Sequence, residues 1–342
     1  MLSKAALHCF FATVLLCPAV EAVDVLTYHN DKARTGLNSE EGILTPENVN
    51  VNSFGKLFVL PVDGKVDAQP LYVSSVPIFG VGRRNLLIVA TEHDTVYGFD
   101  ADSGALYWQT SLLMPGEVPS DDRGCGQVTP EIGITATPVV DRNAGAYGKV
   151  YIVAMSKDAL GIYHQRLHAL ALPDGAETRT SPIEIHASVP GRGPGHDAQG
   201  HVHFNPAQYK ERPGLLLLNG VIYTAWSSHC DISPYTAWII GYNEYPLSQA
   251  AVLNVNPNGY PNSSFLGDGS GSAFWNSGAG PAADAQGFIY ALSGNGPFDT
   301  RLVDGFPRSR DFGDSFLKLS TVGGAFCDRL FHSVRPSDPC CR

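Results

Sequence analysis

Three histidines, His196, His201 and His203, crowd into the segment GHDAQGHVHF. Converging imidazoles hold transition metals, whereas the same letters also spell a solvated glycine-rich loop. His229-Cys230-Asp231 follows the apolar run Val221–Trp226. An imidazole and a carboxylate just past a strand end suit a ligand site or a general base. The other reading is a turn in which Asp231 caps backbone N–H groups. Glu131 stands just before GITATPVVD, where it could supply a carboxylate to a divalent ion or simply face solvent. Trp275-Asn276 and Asn295 flank the last apolar strand of the chain. An indole can floor a planar ligand and an Asn can donate to its oxygens; packing for Trp275 and a Gly-Asn-Gly turn for Asn295 are the alternatives. No GxSxG, HExxH or GxxxxGK[ST] occurs, so the commonest hydrolase, zincin and P-loop signals are missing. Asp100-x-Asp102-x-Gly104 opens like a calcium loop, but Ser111 stands where the closing Glu belongs, so a tight turn is expected.

The elements that must position these residues repeat. Leu86–Val89 is apolar without alternation, as in a strand covered on both faces. Thr95–Phe99 reads as the next antiparallel strand, Asp100–Gly104 as a turn, and Ala105–Trp108 as the start of an outer strand. Runs of the first kind recur as KVYIVA, GVIYTA and GFIYAL, ending 64, 71 and 67 residues after one another. Each has a leader (DAQPLYV, ITATPVVD, RPGLLLL, GPAADAQ) and a follower (YGFDADSG, LHALALPDG, WIIGYNEY, DSFLKLST). A sheet of this kind cannot bury both faces alone and needs copies of itself as neighbours. The pattern predicts an all-β chain, a β-propeller of four-stranded antiparallel blades, with about four blades present. A β-sandwich would not explain the ordered triplets.

FDADSGALYW resembles the tryptophan-docking repeat, DAxTGxxxW, of quinoprotein (pyrroloquinoline quinone) alcohol dehydrogenase-like propellers. GITATPVVD, SGAGPAADAQGFIYALSGNG and RPGLLLLNGVIY also resemble segments of proteins carrying these repeats. The resemblance covers roughly Tyr28 to Ala325. It implies structural roles for Trp108, Asp100 and Gly104. It also implies a quinone on the propeller axis, a calcium held by carboxylate and Asn ligands, and oxidation of a small alcohol or sugar. Trp275, Asn276, Asn295 and Glu131 are the positions offered for quinone and calcium, and His229 and Asp231 for the base. Only the first repeat keeps its Trp; Thr stands at that place in LHALALPDGAETRT. The only adjacent cysteines, Cys340-Cys341, lie outside the repeats, and no Asp matches the family's base. The other class of function is a non-catalytic propeller binding a protein or glycan through its rim loops.

Residues 1–22 read as a secretory signal: basic Lys4, an apolar stretch too short to span a bilayer, and a small-residue cleavage site at Val20-Glu21-Ala22. A secreted or periplasmic protein without a transmembrane segment is expected. Residues 23–60 read as loop ending in a strand at Lys56–Leu60, 61–325 as the propeller, and 326–342 as a tail that breaks the pattern. The family's propellers have about eight blades. An open ring of four is therefore expected, inactive if truncated, with Lys56–Leu60 beside the first blade and apolar flanks left bare. The formal net charge of −10 argues against a nucleic-acid partner, and 36 Gly with 24 Pro suit many short strands and turns. Of seven Cys, five follow the signal, and Cys125–Cys230 is an open candidate for a bridge.

Overall fold

The computed structural model describes residues 22–261, 267–299, 301–303, 306–322 and 325–327. The signal segment before Ala22 and Cys340-Cys341 lie outside the described residues. The chain is all-β and builds, beside two small two-stranded sheets, four antiparallel sheets of four or more strands in sequence order, which we number as blades I to IV. From inner to outer strand, blade I is Leu71–Ile78, Gly82–Ala90, Thr95–Asp100 and Leu106–Ser111. Blade II is Val139–Asp141, Lys149–Lys157, Tyr163–Ala171 and Ile183–Glu184. Blade III is Leu216–Leu218, Val221–Ser228, Trp238–Glu244 and Leu247–Asn254. Blade IV is Ala282–Ala283, Ile289–Leu292, Phe316–Val322 and Ala325–Cys327. The four predicted central runs are the second strands, and leaders and followers pair on either side of them.

These second strands lack alternation because neighbours cover them: blades II and III have a sheet on each face, blade I a sheet on one face and the segment holding Leu60 and Val62 on the other, and blade IV a sheet on one face. One core joins blades I and II through Leu86, Ile88, Val150 and Ile152. A second joins blades II and III through Tyr151, Val153, Ile222 and Trp238. A third joins III and IV through Tyr223, Ile239, Ile289 and Leu317. Trp108 is the peg of the first seam. Its indole is 7% exposed, and its Nε1 donates to Leu172 O at 3.0 Å in the blade II turn. The ring lies over Gly98 and against Gly175, where any Cβ would overlap it, and Gly175 also has φ +66°. The turn before it is the predicted one. Asp100 Oδ1 accepts the N–H groups of Asp102 (2.8 Å) and Ser103 (3.0 Å), Oδ2 accepts the Tyr107 hydroxyl, and Gly104 takes φ +76°.

The segment after Ala22 differs from expectation. Lys56–Leu60 forms no strand. Instead Leu60 and Val62 cover Val89, Tyr97 and Phe99 on the free face of blade I. Alternating apolar residues here serve as a cover, not as a ladder partner. Among the described residues nothing pairs 56–60 with 314–321, so that strand does not close a ring. The outer face of blade IV shows Leu292 and Phe316, 56% and 51% exposed.

Residues 25–34 instead form a strap across all four inner strands. Val25 pairs with Tyr72 of blade I, and Leu26 O accepts Val140 N of blade II at 2.8 Å. Thr27 Oγ1 donates to Leu215 O beside blade III at 3.4 Å, and Lys32 O accepts Ala283 N of blade IV at 2.7 Å. Arg34 ties these together. It donates to Thr27 Oγ1 (2.6 Å), Tyr28 O (3.0 Å), Leu215 O (2.9 Å) and Pro281 O (3.1 Å).

Candidate functional site

The histidine segment forms the hairpin Ser188–Pro190/His201–His203, with the His201 and His203 rings 6.4 Å apart on either side of the Asp197 carboxylate. His196 Nδ1 meets Gly193 O at 2.8 Å, and His203 Nε2 meets Asp197 Oδ2 at 2.7 Å. Among the described residues no three His, Cys, Asp or Glu side chains are gathered to hold a metal. His229 and Asp231 also part company. His229 is 2% exposed and its Nε2 meets Asp122 O at 2.7 Å; burial pushes its pKa down, which keeps it neutral. Asp231 accepts the Tyr235 hydroxyl at 2.6 Å, and its own N–H donates to Ser228 Oγ at 3.2 Å. Between them Cys230 is joined to Cys125, with Cα atoms 6.1 Å apart. The bridge ties the loop between blades I and II to the hairpin loop of blade III.

Trp275, half-buried, packs beside the core between blades II and III, and the Gly294 backbone lies against its indole. Asn295 O accepts Ser272 N at 2.8 Å, so the stretches holding Trp275-Asn276 and Asn295 run side by side. Glu131 lies in the short strand Glu131–Ile132, at the edge of the blade II sheet, with its side chain against His93 of blade I. Its oxygens sit 3.0 and 3.1 Å from His93 Nδ1. No hydrogen bond, ion pair or ring contact joins Glu131 to the Trp275 group among the described residues.

The structure gathers a different set of groups at one end of the inner strands. The turn Thr91–Asp94 joins the second and third strands of blade I, closed by Thr91 N to Thr95 O at 3.0 Å, with Asp94 at φ 55°. Glu92 leaves this turn 1% exposed, its Oε2 accepting Gly133 N (2.8 Å) and Thr135 Oγ1 (3.0 Å). Asp67, just before the inner strand of blade I, lies beside the Glu92 carboxyl and holds Lys65 Nζ at 2.8 Å. Lys210, 4% exposed, arrives from Tyr209–Glu211, which pairs with the end of the second strand of blade III. Its charge acts on both Glu92 and Asp67. Burial, then the Asp67 carboxyl, pushes Glu92 up to about 7. Burial pushes Lys210 down to about 8, against the pull of Glu92. An acid and a base poised near neutrality, side by side, can pass a proton and meet an anion. Sequence reading passed over these residues. The signal was Glu-His-Asp directly behind a wholly apolar strand, and Lys-Glu beside an apolar leader.

The sign of the Glu92 shift sets a pH test. A carboxyl raised from 4.5 to about 7 holds a proton in the folded chain that the unfolded chain releases. Its contribution is complete below about pH 4.5 and is lost as pH rises through 7, roughly 3 kcal/mol over the window at 1.36 kcal/mol per unit. Glu92→Gln should remove that slope, so wild-type and variant melting curves should diverge between pH 5 and 8. Parallel curves would show that Glu92 titrates normally.

No family model and no curated protein matches the chain. Solved structures share its fold, and two of them can be set beside it. One is the quinohemoprotein alcohol dehydrogenase ADHIIG of Pseudomonas putida HK5, at TM-score 0.52 and 17% identity, covering 90% of this chain and 41% of that one. The other is the quinohemoprotein alcohol dehydrogenase of Comamonas testosteroni, at TM-score 0.52 and 16% identity, covering 89% of this chain and 40% of that one. The chain thus spans about two-fifths of the length of the structures it matches. With its blade order, its docked Trp108 and these neighbours, the chain has the β-propeller fold of the quinoprotein alcohol dehydrogenase-like proteins.

Proposed function

We propose that this is an exported quinoprotein-like propeller whose Asp67–Glu92–Lys210 end binds a small anionic planar cofactor of the quinone kind, in the service of alcohol or sugar oxidation. The observation that carries this is the meeting of the buried Glu92 carboxyl, the more open Asp67 carboxyl beside it and the buried Lys210 ammonium, contributed by blades I and III, at one end of the inner strands. The donor set suits such a group: Lys210 and Lys65 would meet its carboxylates, as paired cations meet anions in partly desolvated sites. The quinone, when bound, supplies the hydride acceptor. The chain's own part is proton handling. Above about pH 7 the ionised Glu92 carboxylate takes the hydroxyl proton of an alcohol and shares it with Asp67, while Thr135 and Gly133 fix its orientation. Trp275 and Asn295 remain the offered floor and donor. Export rests on the signal-like first residues, and no helix among the described residues is long and apolar enough to cross a membrane.

Titration of the full chain with pyrroloquinoline quinone, followed by absorbance, should reach one equivalent. Lys210→Ala should weaken the uptake at least tenfold, while Glu92→Gln should leave uptake and stop turnover of an alcohol. No uptake at any calcium concentration would sink the reading.

A second reading has its own observation. A rim cavity of about 510 Å³ on the outer side of blade II is lined by Ile162, Tyr163, His164, Glu184 and Asn205 among others. An apolar wall with an aromatic hydroxyl and a carboxylate suits a glycan or a protein side chain, as the non-catalytic propeller class requires. Partner binding without quinone uptake would favour it.

A further inference from the structure

The end of blade I away from Glu92 holds a cavity of about 730 Å³. Arg83 and Arg84 line it from the start of the second strand, Asp102 and Ser103 from the turn after the third strand, and Ile43 from the segment before the blade. Roughly 20 Å of strand separates Arg84 from the Thr91–Asp94 turn, at about 3.3 Å per residue. The inner strand is bulged beside the cavity. Its register breaks between Val73 and Val76, and Ser75 takes φ 51°. Bulges bend a strand and re-aim its side chains, and they recur next to sites. Here the Ser75 carbonyl accepts Arg83 Nη1 at 2.8 Å, and Ser75 N donates to Asn85 Oδ1 at 3.2 Å. Asn85 Nδ2 donates in turn to Asp102 Oδ2 at 3.0 Å, which ties the bulge to the turn.

The charges on this cavity are unevenly spent. Arg84 Nη1 donates to Arg83 O at 2.8 Å, and its guanidinium lies near the Tyr107 hydroxyl. Both arginines are exposed, and neither is held in an ion pair among the described residues, in a chain of formal net charge −10. Asp100 also lines the cavity, but both its oxygens are taken. Oδ1 accepts two backbone N–H groups and Oδ2 accepts the Tyr107 hydroxyl. Two guanidinium forks therefore meet one exposed carboxylate, Asp102, and the hydroxyl of Ser103.

We propose that this cavity binds a polyhydroxylated carboxylate, a sugar acid of the uronate kind, with Arg83 and Arg84 on its carboxylate and Asp102 and Ser103 on its hydroxyls. A guanidinium fork matches the two oxygens of a carboxylate. Asp102 accepts from hydroxyls but repels a second negative charge, which disfavours phosphates. Ile43, 49% exposed, offers an apolar contact to the C–H face of a sugar ring. The volume lies within the range of small-molecule sites, roughly 300–1,000 Å³. The site rests on neither reading above, since no residue argued for the quinone or for the blade II rim enters it.

Isothermal titration of the full chain with D-glucuronate, beside D-glucose and acetate, tests this. Glucuronate should saturate at about one per chain. It should bind at least tenfold more tightly than glucose, which lacks the charge, or acetate, which lacks the hydroxyls. Arg84→Gln should weaken glucuronate at least tenfold and leave the melting temperature and the uptake of pyrroloquinoline quinone unchanged. Arg83→Gln should weaken it similarly. If losing Arg83 loosens the bulge, Arg84→Gln, which keeps the Ser75 contact, decides alone. No saturable glucuronate binding overturns the proposal, as does glucose or acetate binding equally tightly. Binding undiminished in Arg84→Gln also overturns it, by placing the sugar acid elsewhere. A chain that binds glucuronate and takes up no quinone would leave this site standing and the quinone reading refuted.

Discussion

Trp108→Ala is expected to lower the unfolding free energy by about 3–5 kcal/mol, the usual cost of truncating a buried Trp. The indole spans the seam between blades I and II, buried among Leu112, Ile134, Leu170 and Leu172. Gly98 below and Gly175 beside it have no side chains with which to collapse into the void. Truncation also strands the Leu172 carbonyl, which accepts its Nε1–H at 3.0 Å. Trp108→Phe keeps most of the ring and loses only that hydrogen bond, so it should cost much less. Chemical denaturation midpoints separate the two. A Trp108→Ala loss no larger than that of Trp108→Phe would mean that the ring's volume does not matter and that the docking role is wrong.

Removing the Cys125–Cys230 bridge should have the next largest effect. The two cysteines are 105 residues apart in sequence. The chain-entropy estimate for so long a loop is about 4.7 kcal/mol, and measured values usually fall near 2–4. The double change Cys125→Ser/Cys230→Ser should therefore cost about 2–4 kcal/mol. The bridge also crosses blades: Cys125 lies in the loop between I and II, and Cys230 in blade III. The neighbouring contact of His229 Nε2 with Asp122 O spans the same gap. Comparing oxidised and reduced wild type by urea melts gives the same quantity without mutation. Equal midpoints would show that the tertiary contacts alone hold the loops together.

How far the letters carried can be judged residue by residue. Leu86–Val89, Val150–Val153, Val221–Thr224 and Phe288–Ala291 betrayed the blades because a central strand covered by its neighbours keeps little polar surface, least of all in blades II and III, which lie between two sheets. Only the edge of the last shifted, with the strand running Ile289–Leu292. The outer strand of blade II was hardly legible. It is two residues long, Ile183–Glu184, and its segment holds Thr where blade I holds Trp108. Lys56–Leu60 was misread because a run of apolar, strand-favouring residues does not say whether the backbone is paired: Leu60 is used as cover for blade I, while Leu57 and Val59 face solvent. The site was least legible. Asp67, Glu92 and Lys210 come together only when blades I and III flank a common axis, and no local spacing encodes that. His196, His201 and His203 failed in the opposite way. They are close in sequence, yet each imidazole has a local polar contact or faces outward on its own hairpin.

The strap of residues 25–34 has a consequence for how the molecule comes apart. Repeat arrays usually have only nearest-neighbour interfaces, so their stability adds up along the array and they can fray from one end. Here the Lys32 carbonyl holds Ala283, and Arg34 holds Pro281, while Val25 holds Tyr72. The first and last blades are thus coupled through a segment that belongs to neither. Peeling blade IV away breaks contacts made by the start of the chain, and loosening that start weakens every blade at once. The array should melt as a single unit rather than blade by blade. Its folding should wait on contacts spanning some 250 residues, which are among the slowest to form. Until blade IV is made, Arg34 has no Pro281 to hold, and a chain folding in order of synthesis must complete its first segment last.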